Sequence, residues 1–407
     1  MEESFVQYNP QQPCQGGQPY YGQPQQYPVQ PPVQQAPPQP YPPVQQAPQQ
    51  YPVQQVPQQY PIQQTPARQY PVQQYAPQYV QPQLTPEQQR ENDYRRKLRR
   101  TVNGLGALMI IFFGLEITLA MIVTMVTYFV NGTDPTESNP LFLLENGMLS
   151  MVIFFVSGLI YCLIKRIRFA DIFPFDKVGA GYLTKLCVIG LSFSLASNYV
   201  VDLLNNTFSL FGIENTGGNI DAGSQPNVLL YFLTVAILPA FVEEFAFRGI
   251  VMGVLRPYSP GLAILVSSAT FALMHGNFVQ LPFTFCCGLV FAYIDIKTNS
   301  LLPSIIIHFL NNGLSVLADI LISYGIVSEN VANIGYGAIF AITGILSLIF
   351  LKGIIKNEEP QYFDLEQGSD IISFKDKVKL AVTSPTLIIF TAIMASYCIL
   401  VMFTGTA

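Results

Sequence analysis

The sequence predicts an all-α protein: a polytopic membrane helix bundle of about eight or nine spans behind a disordered Gln/Pro-rich N-terminal tail. Three observations carry that reading. The 407-residue chain is 50% hydrophobic and only 11% charged, under half the charged share usual in soluble domains. Apolar runs of about 20 residues, one bilayer crossing each, recur from residue 101 onward. The basic residues gather in segments that alternate with segments free of them, as the orientation rule for membrane helices requires.

Residues 1–84 form a different polymer from the rest. They are built from Gln, Pro, Tyr and Val, and YPVQ or YPIQ recurs at Tyr27, Tyr51, Tyr60 and Tyr70. Dense proline removes backbone donors and favours extended conformations. Too little apolar area can be buried to offset the ordering entropy, so a disordered cytoplasmic tail is expected. Its composition names no partner. Residues 85–100 then read as a short basic juxtamembrane helix. Thr85, Pro86 and Gln88 supply an N-cap, an N1 proline and the third position of a capping box. Six Lys and Arg residues between Arg90 and Arg100 can lie on anionic headgroups.

The bundle is expected over 101–353, with spans at 103–130, 148–164, 178–204, 227–255, 261–277, 278–296, 301–322 and 331–352. The run KRIRFADIFPFDK after the second span mixes aromatic and basic residues and reads as interfacial. Residues 354–384 read as a cytoplasmic linker and 385–407 as an extra C-terminal span. With the N-terminus inside, every basic cluster falls on the cytoplasmic side. The outer loops 131–147, 205–226 and 323–330 hold no Lys or Arg. The expected setting is an integral protein of the plasma membrane, with the lipid bilayer as its neighbour and no nucleic-acid partner. Six cysteines show no C-x-x-C spacing, so neither a disulfide framework nor a zinc ribbon is indicated.

Against this apolar background the ionisable groups stand out. LPAFVEEFAFRGIV carries Glu243, Glu244 and Arg248 inside one span. Glu244 and Arg248 are four apart and share a helix face, while Glu243 lies about 100° around from Glu244 and can face a cavity. Pro239, one turn earlier, frees a backbone carbonyl and can widen a pocket. His275 follows Phe271 by four residues, and His308 precedes Asn312 by four. These are the only two histidines in the chain. Counted along their helices, Glu243, His275 and His308 stand about 18, 21 and 10 Å from the inner helix ends. Helix tilt can bring them together. Such groups serve either as glue between helices or as a functional site, the usual role of intramembrane charges. No G-x-S-x-G or H-E-x-x-H motif is present. Two chemistries stay open: a carboxylate that activates water opposite donors for an oxyanion, or a divalent metal such as zinc held by Glu243, His275, His308 and Asn312.

The ordered trio E243-E244-F-A-F-R248, F271-A-L-M-H275 and H308-F-L-N-N312 resembles the CPBP intramembrane protease family, also called the type II CAAX prenyl protease or Abi family. The motif window is 243–312, and the related core is expected over about 180–350. The resemblance implies an intramembrane endopeptidase acting on a membrane-associated peptide or protein. It implies Glu243 as general base, His275 as its helper, and His308 with Asn312 binding the oxyanion or a metal. Glu244 and Arg248 would be the supporting pair. Because the family also holds members linked to bacteriocin immunity, the competing expectation is a non-catalytic immunity or scaffold protein that keeps the protease fold. No internal duplication of spans is visible, which weighs against a transporter built from repeats.

Overall fold

The computed structural model describes residues 84–131, 140–210, 228–357 and 369–404. The Gln/Pro/Tyr tail, residues 132–139 and 211–227 about the first two outer loops, and residues 358–368 of the expected linker lie outside the described residues. The described part is a helix bundle. Eight helices are long and apolar enough to cross a membrane, and the chain is an integral membrane protein.

Helix α1 (Pro86–Asn131) starts as its capping box dictates. Gln88 N–H donates to Thr85 Oγ1 at 3.2 Å, and Thr85 N–H donates to Gln88 Oε1 at 3.0 Å. It then runs 46 residues without a break. The basic helix expected over 85–100 is therefore the first part of the same rod as the first span. No proline interrupts it, and Gly104 and Gly106 are tolerated because a neighbour holds them. A Cβ at Gly106 would sit 2.6 Å from Thr386 Oγ1, and that hydroxyl donates to Asn103 O at 2.9 Å.

Helices α2 (Pro140–Lys165) and α4 (Ala180–Ser209) match expected spans. Between them, α3 (Phe169–Ile172) belongs to the run expected to be interfacial. That run folds back on the bundle. Ile172 is buried, Phe173 stacks on Phe245 at 4.7 Å, and Phe175 makes an isolated backbone bridge to Ser300.

Helix α5 (Val228–Leu255) carries the Glu/Arg motif and departs from a plain 3.6-residue helix. Leu233–Ile237 and Phe245–Met252 are wound as π-helix, flanking an α-helical piece that contains Pro239. A proline cannot donate to the preceding turn. Wider π turns of this kind gather at functional sites.

Helix α6 (Pro260–Met274) corrects the expected fifth span. Its 15 residues reach only about 22 Å, short of a 30 Å hydrocarbon core. Ser259 caps its start, and it stops at His275–Gly276, where Gly276 takes a φ of +63° that side-chain-bearing residues avoid. Helices α7 (Gln280–Thr298), α8 (Leu302–Ser323) and α9 (Glu329–Asn357) then cross. Helix α4 packs on α7, α8 and α9, and α6 packs on both α7 and the π-wound part of α5.

The expected linker contains a helix that the sequence reading missed, α10 (Phe374–Val382), capped by Ser373. Leu380 and Ala381 are buried, and Asp376 pairs with Arg95 of α1 at 3.4 Å. The last helix, α11 (Pro385–Thr404), packs along α1 with Phe390 and Met394 fully buried.

Candidate active site

Three helices deliver the polar groups to one place. On α5, Glu244 and Arg248 are both 0% exposed, and Arg248 Nε lies 3.2 Å from Glu244 Oε2. The guanidinium carbon sits 4.2 Å from the centroid of the Phe271 ring, a cation–π arrangement that also fixes α6 against α5. All three Arg248 guanidinium nitrogens, and Glu244 Oε2 facing them, lack hydrogen-bond partners among the described residues. The ion pair and the aromatic face are therefore what hold a charge that would otherwise be costly at this depth.

From α8, His308 reaches across to the same helix. Its Nδ1–H donates to Glu244 Oε1 at 2.9 Å, and its Nε2 stands 3.9 Å from Glu243 Oε2. Glu244 thus accepts a hydrogen bond from His308 on Oε1 and faces Arg248 as an ion pair on Oε2. Glu243, turned away from its neighbour as the helical period requires, has no hydrogen-bond partner at Oε2 among the described residues.

His275 sits at the C-terminal end of α6. Its Nδ1–H donates to Phe271 O at 2.8 Å, which leaves Nε2 as the acceptor nitrogen of the neutral ring. Asn312 lies one turn beyond His308. Its Nδ2 donates to Val235 O at 3.2 Å, the carbonyl that Pro239 would face across an α-helical turn and cannot serve. The freed carbonyl expected from Pro239 is thus occupied by the side chain of a predicted site residue.

Glu243, His275, His308, Asn312 and Pro239 all line one cavity of about 280 Å³. Its remaining wall is largely apolar and includes Phe271, Phe283 and Phe291. The scatter in helical depth is absorbed by the shortness of α6 and by the inward placement of His308 near the start of α8. The supporting pair, Glu244 and Arg248, lies in the packed wall behind the cavity. Among the described residues no three His, Cys, Asp or Glu side chains form a metal-holding group. Glu243, His275 and His308, three of the four ligands expected for a metal, are not drawn together into such a group in this arrangement.

Sequence reading passed over several polar groups near this site. Asp295 of α7 is 1% exposed and accepts Ser304 N–H at 3.2 Å, capping the helix that carries His308. It stands two residues before Lys297 at a helix end, so in sequence it looks like an ordinary interfacial charge. Asn311 lines the cavity beside Asn312. Thr234 is buried with an unpartnered hydroxyl, whereas Ser194, Ser268, Thr270 and Thr284 each return theirs to the carbonyl four residues back. Nothing in a single sequence separates Thr234 from those four.

The bundle and its polar interior define an integral membrane protein with a polar cavity among its helices. Residues 225–314, which contain all three motifs, match the family model described as Type II CAAX prenyl endopeptidase Rce1-like. That segment is similar to a CPBP-family core. The chain is 33% identical over 99 residues to the membrane-embedded CAAX protease MroQ of Staphylococcus aureus (strain USA300), covering 23% of this chain and 40% of that protein. It is also 33% identical over 91 residues to an uncharacterized 24.3 kDa protein of Escherichia coli, covering 21% of this chain and 42% of that one. The match thus spans about two fifths of the length of these curated relatives. No solved structure matches the chain.

Proposed function

We propose that the protein is an intramembrane endopeptidase that hydrolyses a peptide bond in a membrane-associated protein or peptide with water activated by Glu243. The observation that carries this reading is a carboxylate without a hydrogen-bond partner at Oε2 among the described residues, beside a cavity that it shares with two imidazoles and two carboxamides. An oriented base and preplaced donors are the two requirements for this hydrolysis.

In this reading Glu243 accepts a proton from water, and His275 Nε2 accepts the water's second hydrogen bond and aligns it. The water oxygen bonds to the substrate carbonyl carbon. The carbonyl oxygen becomes an oxyanion that receives Asn312 Nδ2–H. His308 joins it as a donor from Nε2 when the ring carries both protons. Collapse of the tetrahedral intermediate breaks the C–N bond, and the proton held by Glu243 passes to the leaving nitrogen. Glu244 and Arg248 do not touch substrate. They hold His308 in the required tautomer and height. The apolar cavity walls exclude bulk water and strengthen each of these interactions. The distribution of Lys and Arg supports a cytoplasmic N-terminus.

The test is cleavage of membrane-associated peptides by purified wild-type protein and by Glu243→Gln, a nearly isosteric change that removes the base. Loss of all cleavage, with the melting temperature preserved, is expected. Full cleavage by Glu243→Gln would sink the assignment of Glu243 as the base, and absence of cleavage by the wild type would leave the immunity or scaffold role.

A further inference from the structure

Three carboxamides beside the cavity run head to tail. Asn198 Nδ2 of α4 donates to Asn311 Oδ1 at 3.4 Å, Asn311 Nδ2 donates to Asn312 Oδ1 at 3.2 Å, and Asn312 Nδ2 donates to Val235 O at 3.2 Å. The direction of this chain matters because a carboxamide has a donor end and an acceptor end of nearly equal shape. Val235 O can only accept, so the NH2 group of Asn312 must face it. Asn311 occupies the opposite end of the Asn312 side chain and offers a donor there. Consecutive residues on a helix point about 100° apart and do not ordinarily meet. Here they do, within the short stretch of α8 that lines the cavity.

We propose that Asn311 is a positioning residue. By donating to Asn312 Oδ1 it locks the neighbouring carboxamide with its NH2 group toward Val235 and the cavity, and Asn198 in turn sets the direction of Asn311. The proposal rests on the hydrolase reading in one respect: the group so oriented is the donor assigned there to the oxyanion. If the Asn312 amide were turned over, it would present an oxygen to a developing negative charge. It would also set that oxygen against Val235 O.

Isosteric and truncating substitutions separate this role from packing. Asn311→Asp keeps the shape but cannot donate, and its carboxylate attracts the NH2 group of Asn312 and reverses it. Asn311→Ala leaves Asn312 Oδ1 without its partner but does not reverse the amide. A packing role would make alanine the worse change, whereas an orienting role makes aspartate the worse one. With a pool of quenched-fluorescent peptides in mixed micelles, kcat is expected to fall about 100-fold or more in Asn311→Asp, the scale of losing one oxyanion donor, with KM little changed. Asn311→Ala should lose about 10-fold and Asn198→Leu, one link further from Asn312, less than that.

A second readout does not depend on turnover. In 15N-asparagine-labelled protein, the side-chain NH2 resonance of Asn312 is identified by its loss in Asn312→Ala. It should move markedly in Asn311→Asp and less in Asn311→Ala. An unmoved resonance in Asn311→Asp overturns the proposal, as does an alanine variant slower than the aspartate variant. If wild type and Glu243→Gln cleave the peptides equally, or neither cleaves them, the reading of a Glu243-dependent hydrolase fails, and the resonance alone decides whether Asn311 sets the amide.

Discussion

His308 stands between two consecutive glutamates, its Nδ1 2.9 Å from Glu244 Oε1 and its Nε2 3.9 Å from Glu243 Oε2. Neighbouring residues on a helix diverge by about 100°, so a single imidazole can address both only by lying in the notch between them. The two carboxylates then have different surroundings. Glu244 is enclosed by Arg248 and His308, while Glu243 lines the cavity. One glutamate organises the wall and the other is left for chemistry.

Glu244→Gln should destabilise the protein more than Glu243→Gln. It strands the fully buried Arg248 without its counter-ion, a change that costs about 3–5 kcal/mol in buried pairs. The double substitution Glu244→Gln/Arg248→Met removes both charges and should recover part of the loss. Thermal unfolding of the purified variants checks the order, and a double variant less stable than Glu244→Gln alone would contradict the pairing.

Gly276→Ala should impair the site through the turn that holds His275. The position combines a φ of +63° with a Cβ that would lie 2.7 Å from Tyr397 Cε1. The left-handed backbone alone costs about 1–2 kcal/mol for a residue with a side chain. Adding Tyr397→Ala relieves the clash but not the backbone strain, so the double variant should regain only part of the stability. Full recovery would show that φ is unimportant here.

Truncation after Ser384 should do more than remove an anchor. Phe390 and Met394 of α11 are fully buried, and Tyr397 lies against the turn after His275. The shortened protein should melt earlier and lose activity. Retention of both would mean that the last span is detachable.

The contact between α1 and α10 should weaken in acid. Asp376 lies outside the spans, and the Ser373 hydroxyl and then the Arg95 guanidinium hold its carboxyl below the usual aspartate range. A depressed folded-state pKa contributes stability that is present above the unfolded value and is lost as pH falls through the folded one. Amide exchange over Phe374–Val382 should therefore speed up only below about pH 4. The effect is small, because the pair is exposed. Asp376→Asn should remove this pH dependence.

Much of this was legible in the linear chain because a bilayer narrows the possibilities. Apolar length gives the spans, and a charge placed in such a run announces itself. That rule drew attention to Glu243, Glu244 and Arg248, the four-residue spacing from His308 and the resemblance of the motif trio added His275, His308 and Asn312, and the capping box at Thr85 marked the start of α1 to the residue. Helix endings were less legible. Nothing local required α1 to continue unbroken through its basic part, and α10 lay in a stretch too polar to stand out. The fifth span lost its crossing length at Gly276, where a positive φ and the closeness of Tyr397 end it.

What the sequence by itself determined is the set of polar groups and the helices that carry them, since lipid penalises such groups wherever no function or partner retains them. Only the tertiary structure decided their relations. The π turns of α5, the shortness of α6 and the closeness of α8 bring one imidazole between two glutamates and one carboxamide against a carbonyl that a proline left unserved. Those distances depend on how several helices pack together, and no spacing within one helix contains them.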